Sequence, residues 1–106
     1  MTSRAFICGC SGLRLTAGEK RFFAHARPWG LILFARNVED PAQVTALVED
    51  FREIVGWSAP VLIDQEGGRV QRLKPPHWRA YPPPERIGML YRRDTAAGLD
   101  AARLAA

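Results

Sequence analysis

Apolar runs that alternate with capped helical segments constrain this chain more than anything else in it. Leu31-Ile32-Leu33-Phe34 and Val61-Leu62-Ile63 have no polar interruption. That is the pattern of strands buried on both faces in a parallel sheet. Residues 4–8 read as a first, shorter strand. Thr16, with Glu19 three positions later, forms a capping-box pattern, and Phe22, Phe23 and Ala26 follow on one helical face. Pro28-Trp29-Gly30 is expected to end that helix. Asp40 caps a second helix with Pro41 in its first turn, and Val44, Leu47, Val48, Phe51, Ile54 and Val55 recur at helical period up to Gly56. Strand, helix, strand, helix, strand with short connections is the signature of an α/β fold with a parallel sheet.

The ends of the apolar runs carry the polar chemistry. The second run hands over to Arg36-Asn37, and the third to Asp64-Gln65-Glu66-Gly67-Gly68-Arg69-Val70-Gln71-Arg72. In α/β folds, ligands bind outside the carboxyl ends of the strands, which makes Asp64 the first candidate for a binding role. Gly67-Gly68 supplies a backbone that can turn sharply or let another group approach closely. After Arg72 the pattern breaks. Lys74-Pro75-Pro76-His77-Trp78 and Tyr81-Pro82-Pro83-Pro84 predict an ordered, extended loop. Residues 85–91 then predict a short helix, and Asp94 or Thr95 caps an alanine-rich one.

Such a sheet would keep two unpaired edges, an arrangement natural proteins avoid. The expectation is therefore that residues 1–106 form the N-terminal portion of a (β/α)8 TIM-type barrel, about three βα units of it, as an incomplete domain. A self-contained three-stranded α/β miniature is the alternative.

A formal charge of +4 comes from arginines scattered through the chain. No uninterrupted basic run accompanies them, so a solvated face is expected and nucleic acid is not expected as a partner. Cys8 and Cys10, two apart on the first strand, would share a face but are badly placed to bond each other. Reduced thiols, a cytoplasmic setting, no metal and no cofactor are the expectation; His25 and His77 have no ligand spacing to them. No apolar stretch approaches a membrane span, and the N-terminus lacks the pattern of a secretory signal.

Two segments carry a more specific signal. Trp29-Gly30-Leu31-Ile32-Leu33-Phe34-Ala35-Arg36-Asn37 and Ile63-Asp64-Gln65-Glu66-Gly67-Gly68-Arg69-Val70-Gln71-Arg72 resemble the opening motifs of bacterial β-N-acetylglucosaminidases of glycoside hydrolase family 3. The resemblance covers nearly the whole chain. It implies a (β/α)8-type barrel that removes terminal N-acetylglucosamine from muropeptides during cell-wall recycling. It also implies that Asp64 and Arg72 are substrate-binding residues. A carboxylate can accept from two adjacent sugar hydroxyls, and arginine offers a rigid fork of donors to the same ring or to the carboxylate holding it. A retaining mechanism is implied too, with an aspartate nucleophile and a histidine acid/base. None of the 106 residues matches these, so no catalytic residue is expected in this segment.

Each candidate also has a plainer reading. Asp64 could cap the turn after its strand, and Arg72 could pair with Asp64 or Glu66. Glu66 is expected to be a turn acid, Arg69 and Gln71 to orient the loop, and Arg36 and Asn37 to link neighbouring strand-helix loops. His77 is expected at the surface. Trp29 and Trp78 offer faces for sugar stacking, with packing beside a turn as the other reading. The rival functions are a non-catalytic carbohydrate-binding or interaction module and, more weakly, an RNA-binding face.

Overall fold

In a computed structural model, residues 2–106 are described, and they divide into two compact units that meet in sequence between Asp64 and Gln65. The first contains β1 (Arg4–Cys8), α1 (Ala17–Ala26), β2 (Pro28–Leu33), a 3-10 turn (Ala35–Asn37), α2 (Pro41–Val55) and β3 (Val61–Ile63). The three strands form one parallel sheet in the order β1-β2-β3. The α/β expectation holds.

The predicted caps explain where the helices begin. The Glu19 N–H donates to Thr16 Oγ1 at 3.1 Å, and the Thr16 N–H donates to Glu19 Oε1 at 2.9 Å. This reciprocal pair satisfies two amides that a helix start leaves open. Asp40 Oδ1 accepts the Gln43 N–H at 2.8 Å at the start of α2, where Pro41 occupies the first turn. The end of α1 departs from expectation. It stops at Ala26, Arg27 takes a left-handed φ of 50°, and Pro28 already belongs to β2. Pro28-Trp29-Gly30 is therefore strand and not terminator. Proline fits there because the first residue of a strand need not donate to a ladder.

Both helices pack on one face of the sheet. Leu31 and Leu33 from β2 are buried in a single cluster with Phe23 of α1 and Leu47, Phe51 and Val55 of α2. The Phe23 and Phe51 rings meet edge to face, with centroids 5.2 Å apart. Burying side chains of this size contributes about 1.5–3 kcal/mol each. On the other face, Ile7 and Leu62 flank Gly30 and stay 41% and 39% exposed. No helix of this unit covers them. Cys10 lies two residues past the end of β1 and is buried, whereas Cys8 is half-buried on the strand.

The second unit contains β4 (Gln65–Gly67), β5 (Val70–Gln71), α3 (Pro84–Arg93) and α4 (Thr95–Ala105). β4 and β5 form a small antiparallel hairpin that the sequence did not announce. Its register pairs Gln65 with Gln71 and Gly67 with Val70, leaving Glu66 as the one extra residue on β4. Gly67 and Gly68 have φ of 93° and 61°. A Cβ on Gly67 would lie 2.2 Å from the Pro82 carbonyl oxygen, and one on Gly68 would lie 2.8 Å from Pro83 Cβ. The glycines thus serve the turn and a close approach by the chain's own proline-rich loop. Asp94 rather than Thr95 caps α4, accepting the Ala97 N–H at 3.1 Å. α3 and α4 approach closely where Gly98 faces Tyr91: a Cβ on Gly98 would lie 2.4 Å from Tyr91 Cα.

Candidate functional site

Because the three strands of the first unit run parallel, their carboxyl ends lie on one edge of the sheet, and the loops after β1 and β2 and residue Asp64 all begin there. Asp64 follows β3 directly and is half-buried. β3 is short and almost wholly apolar, so the first ionisable group it delivers is this carboxylate.

The neighbouring loops are braced rather than open. Asn37, fully buried, donates from Nδ2 to the carbonyls of Cys10 at 3.1 Å and Gly12 at 2.8 Å. Its Oδ1 accepts the Phe34 N–H at 2.9 Å. Arg36 Nε donates to the same Cys10 carbonyl at 3.0 Å, and its guanidinium lies over the Phe34 ring, 4.9 Å from the centroid. Gln43 Nε2 reaches the Leu13 and Asn37 carbonyls, both at 2.8 Å. Arg36 and Asn37 therefore link adjacent loops, as expected, and Gln43 joins them from the first turn of α2. These bonds satisfy the buried Asn37 carboxamide and tie the two loops to each other.

In the second unit, the hairpin presents a different polar framework. Gln71 is buried. Its Nε2 donates to the carbonyls of Leu73 at 2.8 Å and Arg79 at 2.6 Å, and its Oε1 accepts the Tyr81 N–H at 3.0 Å. Gln65 Oε1 accepts the amides of Arg72 at 3.2 Å and Leu73 at 3.0 Å, while Nε2 donates to the Leu73 carbonyl at 2.8 Å. Arg72 itself is half-buried. Gln71 orients the loop as predicted, and Gln65 was missed. A glutamine between two acids reads as loop polarity, and only the pairing of Gln65 with Gln71 puts both carboxamides against the same backbone.

The other candidates take plainer places. Glu66 and Arg69 are exposed on the hairpin. His77 is exposed, its ring edge-on to Trp78 at 5.9 Å. Trp29 stands near the amino end of β2, the opposite end of the strand from the loops just described, and lines a hollow with Ala5, Phe6 and Ile7. Among the described residues, no three His, Cys, Asp or Glu side chains gather as a metal site would require. Among the same described residues, no helix is long and apolar enough to cross a membrane.

Burial raises the pKa of both thiols. For Cys10, desolvation is the main cause, and the Glu19 charge adds to it. Glu19 is shifted the other way. Its burial alone would raise the pKa, but hydrogen bonds from Thr16 and Ser11 outweigh that and hold the carboxyl below the usual glutamate range.

No family model matches the chain. Individual proteins do. A β-hexosaminidase of Bordetella avium is 39% identical over 92 residues, covering 87% of this chain and 26% of the relative. NagZ from Neisseria gonorrhoeae, solved in complex with N-trifluoroacetyl-D-glucosamine, superposes with a TM-score of 0.79 at 26% identity, over 90% of this chain and 28% of that one. A glycoside hydrolase family 3 β-N-acetylglucosaminidase from Paenibacillus gives 0.66 at 30% identity, over 78% and 16%.

By sequence and by fold, then, the chain is a homologue of part of a glycoside hydrolase, of the family 3 type. Its relatives in particular are bacterial β-hexosaminidases, with NagZ among its structural neighbours, and it spans about a quarter of the length of those it matches.

Proposed function

We propose that this chain forms the N-terminal portion of a (β/α)8 barrel in a retaining β-N-acetylhexosaminidase that releases terminal N-acetylglucosamine from muropeptides in the cytoplasm during cell-wall recycling. Asp64 and Arg72 each contribute a contact to the terminal amino sugar. The reading is carried by one observation: a half-buried carboxylate emerges directly from the carboxyl end of a parallel strand, in a chain similar to a protein solved with an N-acylated glucosamine. The apolar sheet face around Ile7 and Leu62 suits the interior of a closed barrel better than solvent. Asp64 would accept from adjacent hydroxyls of the ring, and Arg72 would donate from its planar fork. The nucleophile and the acid/base belong to residues outside these 106, so the segment supplies binding and not bond cleavage.

The test is to express the complete reading frame and assay it on an aryl N-acetyl-β-D-glucosaminide beside the matching glucoside. The amino sugar should be hydrolysed and the glucoside should not. Asp64→Ala should raise KM by about a hundredfold, because the sugar hydroxyls lose a charged acceptor worth about 1.5–3 kcal/mol. The isolated 106-residue chain should give no turnover. Sugar binding without hydrolysis by the complete product would make it a non-catalytic carbohydrate module. Unchanged kinetics in Asp64→Ala would remove that residue from the site.

A further inference from the structure

Gln65 and Gln71 sit opposite one another in the hairpin register, yet they hold different things. Gln71 ties the loop together, from Leu73 across to Arg79 and Tyr81. Gln65 instead grips the backbone at Arg72 and Leu73 with three hydrogen bonds of 2.8–3.2 Å. β5 ends at Gln71, so no ladder bond is available to fix the next residue. The Gln65 carboxamide takes the ladder's place: its oxygen receives the successive amides of Arg72 and Leu73, and its nitrogen returns a bond to the Leu73 carbonyl just beyond them. Only an amide side chain of this length offers acceptor and donor together. Glutamate would keep the acceptor, lose the donor and set a negative charge against the Leu73 carbonyl.

We infer that Gln65 is a positioning residue for Arg72, fixing the backbone from which that guanidinium reaches the amino sugar. The inference rests on the proposed sugar contact of Arg72, and the experiment separates the two. KM for the aryl N-acetylglucosaminide is measured for the complete reading frame product and for Arg72→Ala, Gln65→Glu and the double variant, well below each melting temperature. Loss of a binding contact raises KM and leaves kcat nearly unchanged. Arg72→Ala should raise KM by about fiftyfold and Gln65→Glu by about tenfold, with the double variant no worse than Arg72→Ala alone, since residues acting through one another do not add. In parallel, amide hydrogen exchange at Arg72 and Leu73 should speed up by about tenfold in Gln65→Glu.

A double variant whose KM is the product of the single effects overturns the inference, because Gln65 would then act independently of Arg72. So does a Gln65→Glu enzyme with lowered stability and unchanged KM, which marks a merely structural residue. If Arg72→Ala leaves KM unchanged, the sugar contact itself fails, whatever the exchange data show. Should Gln65→Glu not fold, Gln65→Met replaces it, and failure of both to fold assigns Gln65 to the framework alone.

Discussion

Asn37 and Cys10 are joined by a side-chain amide and a backbone carbonyl 3.1 Å apart, across 27 residues of sequence. The same amide also serves Gly12 and Phe34, so one buried side chain closes the loops after β1 and β2 upon each other. Asn37→Leu keeps the volume and strands the Gly12 carbonyl and the Phe34 amide, while the Cys10 carbonyl keeps Arg36. It should cost about 2 kcal/mol, roughly 1 kcal/mol for each polar group left unpaired. Urea denaturation monitored by circular dichroism would show this as a lower midpoint at unchanged slope, and a shift of less than a third of that size would mean the loops do not depend on Asn37.

Glycine positions should respond with opposite signs. Gly67→Ala meets a φ of 93° and the Pro82 carbonyl oxygen 2.2 Å from the new carbon. It should destabilise the hairpin by about 2 kcal/mol or more. Gly88, inside α3, has nothing within 4 Å of a new Cβ. Gly88→Ala should therefore stabilise by about 0.5–1 kcal/mol through helix propensity. Paired thermal melts would decide it.

Acid should weaken the start of α1. The pKa of Glu19 is lowered in the folded chain, so its stabilising contribution is complete above the unfolded glutamate value, about 4.3, and disappears as pH falls through the lower folded value. Stability should therefore decline from about pH 5 downwards. Glu19→Gln should flatten that part of the profile while lowering stability at neutral pH. Identical slopes in the two proteins below pH 5 would show that Glu19 is not responsible.

The thiols should be slow to react while the chain is folded. Desolvation raises the pKa of Cys8 and Cys10, which depletes the thiolate that attacks a disulfide reagent. Titration with an aromatic disulfide at pH 8 should proceed about tenfold faster in urea than in buffer. Equal rates would place both thiols in contact with solvent.

Legibility followed local chemistry. Thr16 with Glu19 and Asp40 with Pro41 announce their helices, because capping is a contact between neighbours in sequence. The apolar runs announce β2 and β3 equally well, but they predict two buried faces, and in this chain only the side of Leu31 and Leu33 is packed while Ile7 and Leu62 stay exposed on the other. The hairpin was not. β5 has only two residues, and Gln65 and Glu66 are poor strand formers, so nothing local distinguishes β4 from loop. Arg27 hid the start of β2, because the left-handed position it occupies is one that glycine ordinarily signals. The strand-end placement of Asp64 could be read from sequence; the grip of Gln65 on Arg72 required the hairpin register and could not.

Arg27 has a further consequence. It closes α1 and passes directly into Pro28, with no spacer between helix and strand. An insertion of one amino acid at that joint would slide β2 against both neighbours and send Leu31 and Leu33 to the wrong side of the sheet, since successive strand side chains alternate sides. Among related genes the α1 to β2 joint should therefore keep a fixed count of residues.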